Sequence, residues 1–211
     1  MTPTPFPLTL KNENFIRSWT LTDTTICDRL IEFYKKSDRK EIGKIMSGDG
    51  VETVRTHVKD STDIVFWPTD KDDVFLDYLV LLQEVVDEYV KLFPRCNSQA
   101  AWSVVDGVNI QHYGPGGGYK EWHCERHGVE YPIVSRHLVF MTYLNDVEQD
   151  GETEFYHQEL KIKPVKGLTT IFPADWTYTH RGIPAMTEDK YIITGWFNYF
   201  KGNNVAFQTQ K

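Results

Sequence analysis

No apolar run in the 211 residues approaches the ~18 consecutive positions that a membrane span requires, so a transmembrane helix is not expected. Cysteine is scarce. Cys27, Cys96 and Cys124 are odd in number and widely spaced, which excludes both a paired disulfide framework and a zinc ribbon and predicts free thiols in a reducing compartment. An excess of positive charge is also missing. The net charge of −7 argues against a nucleic-acid backbone as the main partner, because phosphate contacts need clustered Lys and Arg. The opening Met1-Thr2-Pro3-Thr4-Pro5-Phe6-Pro7 has neither the basic start nor the apolar core of a secretory signal, so a cytoplasmic protein is the expectation. There is no internal repeat and no low-complexity block.

What remains is an ordinary globular composition, 40% hydrophobic and 25% charged. A chain of this length can bury roughly 70% of its unfolded surface. One domain over 1–211 is expected, with helical support and loops in 1–100 and the working core in 101–200. Asn14 to Leu21 looks like a short strand, and Asp23 is placed to cap a helix carrying Ile26, Leu30, Ile31 and Tyr34. The polar stretch from Ser37 to Asp63, with Ser47-Gly48-Asp49-Gly50 inside it, suggests a long loop able to act as a lid, followed by one strand near Asp63 to Trp67. From Asp72 to Phe93 the apolar residues recur at i, i+3, i+4 and i+7, the signature of a helix packed on a sheet, and Pro94 ends it.

From Ala101 the pattern changes to short β-rich runs: Val108 to Tyr113, His137 to Asn145, Thr153 to Tyr156, Leu160 to Lys163, Leu168 to Phe172, Thr177 to Arg181 and Lys190 to Tyr199. Gly, Pro and Asp-Gly signals separate them. The expected fold is therefore mainly β with flanking α-helices: a double-stranded β-helix, or jelly roll, of two antiparallel sheets buttressed by the N-terminal helices.

Within that frame one stretch carries chemistry. If Trp122 to Arg126 is extended, His123 and Glu125 share a face and Cys124 turns away. A second imidazole, His180, would complete a two-His-one-carboxylate facial triad, which leaves three neighbouring positions open on non-haem Fe(II). Ten residues after His180 comes Lys190, on the same strand face as Ile192, Thr194 and Trp196. A lysine in an apolar row is costly unless an anion meets it. A dicarboxylic keto acid, held by a metal at one end and an ammonium at the other, would do so, with the hydroxyls of Thr194 and Tyr113 nearby. His123-Cys124-Glu125-Arg126-His127 is not a zinc-protease helix, since Glu does not directly follow the first His, and Gly114 to Gly118 lacks the Lys-Ser/Thr of a phosphate loop.

Ile110-Gln111-His112-Tyr113-Gly114-Pro115-Gly116, His123-Cys124-Glu125, Thr142-Tyr143-Leu144-Asn145, Gly151-Glu152-Thr153-Glu154-Phe155, His180, Lys190 and Trp196, in that order, resemble the catalytic domain of prolyl 4-hydroxylases, within the 2-oxoglutarate and Fe(II)-dependent oxygenase superfamily. The resemblance covers about 108–199. It implies that His123, Glu125 and His180 bind iron, that Lys190 pairs with the distal carboxylate of 2-oxoglutarate beside Tyr113 and Thr194, and that Trp196 walls the pocket. Glu125 departs from the family, which usually carries aspartate there.

The resemblance further implies Fe(II), 2-oxoglutarate and O2 as cofactor and cosubstrates, with ascorbate as a candidate addition. The implied activity is hydroxylation of an unactivated C–H bond with release of succinate and CO2, the first-choice substrate being a prolyl residue of a peptide or protein. Alternatives are a free amino acid or other small molecule, or a non-enzymatic, cupin-like metal-binding or ligand-sensing protein. No membrane partner is expected and nucleic acid is disfavoured. His57, His112, His127, His137 and His157 are read as structural or solvated, and Arg136 is weighed as a partner for a substrate or cosubstrate carboxylate without being taken into the site.

Overall fold

A computed structural model describes residues 14–46 and 51–200. The Pro-rich start, Ser47 to Gly50 and the polar tail from Lys201 lie outside the described residues. In chain order the elements are β1 (Arg17–Thr20), α1 (Thr25–Lys36), β2 (Glu41–Ile42), β3 (Ile45–Met46), β4 (Glu52–Thr53), β5 (Lys59–Asp60), β6 (Thr62–Phe66), α2 (Asp73–Leu92), β7 (Trp102–Ser103), β8 (Val108–Tyr113) and β9 (Gly118–Tyr119). Then follow β10 (Arg136–Tyr143), β11 (Thr153–Phe155), β12 (Leu160–Ile162), β13 (Leu168–Pro173), β14 (His180–Gly182) and β15 (Lys190–Tyr199).

The major sheet has the order β1-β13-β10-β15-β8-β6-β2, with β7 added on β15, and its pairs are antiparallel. The minor sheet is β12-β11-β14. The fold is thus mainly β, with two principal antiparallel sheets, two short two-stranded ribbons and helices outside the larger sheet, and the two-sheet, helix-backed plan is the one the sequence pattern predicts.

Alternation along the central strands sorts the two faces of the major sheet. Ile110, Phe140, Ile171, Ile193 and Phe197 point outward and join Ile26, Leu30, Phe75, Leu82 and Val86 of the two helices in the largest apolar cluster. This is the face the helical periodicity of α2 was built to cover. Tyr78 of α2 also bonds Thr142, which bonds Thr169, a chain of hydroxyls at 2.9 and 2.7 Å crossing from helix to sheet. The other face turns inward toward the minor sheet and carries Tyr113, Met141, Tyr143 and Ile192 in one cluster and Val139 and Phe172 in another. A one-residue slip of β15 would exchange these faces, so helix packing also sets which side chains reach the interior.

Four expectations need correction. The 37–63 segment is not a long loop: β2 extends the major sheet beside β6, β3 pairs β4, and β5 pairs β9. Its polar composition hides these strands because they are edge pairs of two residues with much of their surface exposed. Trp122 to Arg126 is not a strand either. His123 alone forms an isolated bridge, and by Arg126 the chain has turned to donate to the carbonyl of Ala174. Thr177 to Arg181 divides into a 3-10 turn, Trp176–Tyr178, and β14. Finally, Asp23 stands one residue before the cap position, and its Oδ1 accepts from both the Thr25 backbone and hydroxyl, at 2.9 and 2.6 Å.

No helix among the described residues is long and apolar enough to cross a membrane. Leu82 is fully buried between α2 and the sheet. Replacing it with alanine is expected to cost about 2–5 kcal/mol in urea unfolding, from lost burial and the cavity left behind.

Candidate metal centre and cleft

His123 and His180 face one another as a hydrogen-bonded antiparallel pair, each backbone N–H donating to the other's carbonyl at 3.0 and 2.9 Å. Their rings lie on the same side, with centroids 4.4 Å apart. The bridge adds the 123 segment to the edge of the minor sheet, beyond β14. His123 Nδ1 is 3.0 Å from the carbonyl of Glu121, and His180 Nδ1 is 2.9 Å from that of Tyr178. A carbonyl can only accept, so each Nδ1 carries a proton, and each Nε2 faces Glu125, where it can donate to the carboxylate when protonated or bind an ion once that proton leaves.

Glu125 Oε1 lies 3.5 Å from His123 Nε2 and 3.3 Å from His180 Nε2. The three donor groups all fall within 4.8 Å of one another. Two donors about 2.1 Å from one ion and at right angles to each other are about 3 Å apart, so this set fits a divalent first-row ion with little movement. The electrostatics agree. Burial alone would favour a neutral Glu125, but the two imidazoles beside it hold its carboxyl well below the usual carboxylate range. Burial, helped by the neighbouring His180, pushes His123 down from its ordinary value. An ionised carboxylate beside a neutral imidazole is the protonation state that a cation requires of its ligands.

Lys190 approaches from the major sheet. The β8–β15 register sets it directly opposite Tyr113, and Ile192 opposite Gln111. Its Nζ donates to the carbonyl of Gly151 at 2.6 Å and lies 5.8 and 5.5 Å from the ring centres of Tyr113 and Tyr143. Burial depresses its pKa to about 8, against the opposing attraction of Glu152. An ammonium whose hydrogen bond goes to a neutral acceptor, on a wall of aromatic rings, is a site that an anion would satisfy. Tyr113 donates to Gln111 Oε1 at 2.7 Å, and Thr194 donates to the carbonyl of Phe140 at 2.9 Å, so both hydroxyls are engaged within the protein. Trp196 Nε1 donates to Glu125 Oε2 at 3.0 Å.

All seven residues singled out in the sequence line one cleft of about 740 Å³. The cleft runs from the histidines across β8 and β6 to Arg39, Ile42 and Trp67. Two contributors lie outside that set of seven. Tyr119 stacks on His123 with centroids 3.6 Å apart and planes 16° from parallel. Its signal is the place of Gly118-Tyr119 as a strand partner of β5, hidden behind a glycine run. Arg136 is the other. Buried beside Glu125, it reaches Asp106 at 3.1 Å and the Glu125 carbonyl at 3.0 Å. Among the remaining histidines, His112 pairs with Asp189 and stacks on Tyr191, and His137 bonds the carbonyl of Cys96, which are structural roles.

Comparison with known proteins agrees with this architecture. Residues 108–198 match the family described as the 2OG-Fe(II) oxygenase superfamily. A curated relative, prolyl 4-hydroxylase 13 of Arabidopsis thaliana, is 30% identical over 115 residues, which is 43% of this chain and 42% of the relative. The chain therefore matches less than half the length of that relative. The viral collagen prolyl hydroxylase of Paramecium Bursaria Chlorella virus-1, solved with 2OG, has the same fold at a TM-score of 0.64 and 21% identity, covering 89% of this chain and 97% of that one. A Trichoplax adhaerens prolyl hydroxylase, solved with a peptide fragment of the hypoxia inducible factor oxygen degradation domain, superposes at 0.67 with 18% identity, covering 89% and 85%. A Pseudomonas putida prolyl-4-hydroxylase gives 0.64 with 16% identity, covering 88% and 92%. These structures share the double-stranded β-helix.

The depressed Lys190 has a measurable signature. Between pH 8 and 10.5 the unfolded chain still holds a proton that the folded ammonium has shed, so Lys190 makes ligand-free stability rise with pH across that window. Lys190→Met should remove that component of the rise and relieve a penalty on the order of 3 kcal/mol at neutral pH, less the lost Gly151 bond. Urea unfolding of both proteins at pH 7 and 10 reads the difference, and parallel slopes would contradict it.

Proposed function

We propose that the protein is a prolyl 4-hydroxylase-like, 2-oxoglutarate-dependent dioxygenase that hydroxylates an unactivated C–H bond, a reading supported by the match of residues 108–198 to the 2OG-Fe(II) oxygenase superfamily and by the similarity to prolyl 4-hydroxylase 13. The balanced reaction is R–H + 2-oxoglutarate + O2 → R–OH + succinate + CO2. The observation that carries this reading is the buried Lys190, set on the cleft wall where a simple metal-binding jelly roll would have no use for an ammonium. The first-choice substrate is a prolyl residue in a peptide or protein. A cleft of about 740 Å³ that continues from the histidines past β6 to Trp67 favours an extended chain over a single amino acid, and a structure of the same fold was solved with a peptide.

In this mechanism His123, His180 and Glu125 would hold Fe(II) through Nε2, Nε2 and Oε1. The bound iron supplies the redox chemistry that links O2 to 2-oxoglutarate and the C–H bond. Lys190 would pair with the distal carboxylate of 2-oxoglutarate, with the hydroxyls of Tyr113 and Thr194, now bonded to Gln111 and the Phe140 carbonyl, placed beside it to add hydrogen bonds. Met141, Ile192 and Val139 form an apolar floor that keeps water from the reacting atoms. Tyr119, stacked on His123, limits rotation of that ring.

The test is succinate formation from 2-oxoglutarate with Fe(II), with and without ascorbate. His180→Ala should fall to background. Lys190→Ala should raise the KM for 2-oxoglutarate by roughly 30-fold or more, the cost of losing one partner of a buried charge pair. Equal turnover in wild type and both variants would remove the oxygenase assignment. Mass spectrometry over proline-containing peptides and free amino acids then identifies the substrate by a gain of about 16 Da, one oxygen per turnover.

A further inference from the structure

Glu125 is one methylene longer than the aspartate usual in the proteins this sequence resembles. A longer carboxylate can meet an ion with one oxygen or with both. Ligation by both would take one of the three positions that the facial triad leaves for substrates. The surroundings of the two oxygens are not alike. Oε1 faces both imidazoles, whereas Oε2 receives the indole N–H of Trp196 at 3.0 Å and lies 3.6 Å from Arg136 Nη1.

Arg136 is in turn held at several points. It bonds Asp106 at 3.1 Å and the backbone carbonyl of Glu125 at 3.0 Å, and its guanidinium lies over the Trp196 ring at 3.4 Å from the centroid. Its side chain is 10% exposed, and those of Asp106 and Glu125 are 14% and 15% exposed. One cation and one indole, stacked on each other, therefore grip both the backbone and the second carboxylate oxygen of a single residue.

We propose that Trp196 and Arg136 are positioning residues that hold Glu125 to one-oxygen ligation by occupying Oε2, and that this grip accommodates the extra methylene. The proposal rests on the metal-centre reading above. Outer partners of this kind orient ligands and change metal-site properties on the order of 10- to 100-fold when removed. A wall residue with no such role would affect the cosubstrate regardless of which carboxylate sits at position 125.

The experiment is a double-mutant cycle of Trp196→Phe with Glu125→Asp, on protein loaded with Mn(II) or Co(II). Its readouts are 2-oxoglutarate affinity by calorimetry and the visible spectrum of bound Co(II), which follows the number of ligands. Trp196→Phe keeps the ring and removes the N–H. With Glu125 in place it should weaken 2-oxoglutarate binding to the Mn(II) protein on the order of tenfold and change the Co(II) spectrum, since a freed Oε2 competes for an open position. In the Asp background, where the shorter side chain withdraws from the indole, both effects should vanish. Arg136→Lys, which keeps the charge but cannot grip two oxygens, should change the Co(II) spectrum in the same direction. Equal losses in both backgrounds, or no change in either, overturn the proposal. Failure of the wild-type protein to take up either metal would instead overturn the metal-centre reading and, with it, the proposal.

Discussion

The backbone bridge between His123 and His180 is the constraint on which the rest of the site depends. It sets two imidazoles side by side, one on β14 and one on a segment that joins it through this single bridge, and the carbonyls of Glu121 and Tyr178 hold a proton on each Nδ1. Only one further oxygen is needed to complete the donor set, and Glu125 supplies it two residues on. Because the bridge belongs to the minor sheet and Lys190 to the major one, the distance from histidines to ammonium is set by how the two sheets pack. Phe155 and Phe172, in edge-to-face contact at 4.9 Å and both against His180, are part of that packing.

The interior is assembled at a cost to stability. An ammonium bonded to a neutral carbonyl and an arginine are buried on the inner face and an ionised carboxylate is largely buried beside them, while the outer face is sealed by aliphatic and aromatic side chains of α1 and α2. The helices thus do more than cover a sheet. By anchoring Ile110, Phe140 and Ile193 outward, they oblige Gln111, Met141, Ile192 and Thr194 to face the cleft. The short ribbons of the 37–63 segment close the other side, and β5 reaches the metal centre through its pairing with Tyr119.

Much of this is legible from residue order alone, because the two periodicities differ so clearly. The 3.6-residue pattern of Asp73–Leu92 and the alternation of Val108–Tyr113 and Lys190–Tyr199 each depend on a large buried face. The His-x-Glu pair and the distant His180 also stand out by ligand type and spacing, and Lys190 as a charge in an apolar row ten residues on. What is hidden depends on contacts far apart in sequence. The two-residue strands between Glu41 and Asp60 have no face to advertise, and His123 is held by one bridge rather than by a strand. Arg136 opens an otherwise apolar strand and gives no local sign of its place between Asp106, Glu125 and Trp196.

The central claim is that one metal ion and one dicarboxylic keto acid occupy this cleft together, each helping to hold the other. Anaerobic titration of 2-oxoglutarate into the Fe(II)-loaded protein, followed by visible charge-transfer absorption, tests it most directly. A saturable band at one equivalent, absent without iron and weakened when glutarate replaces the keto acid, is the predicted result. No band, or 2-oxoglutarate binding of equal strength with and without the metal, would contradict the account.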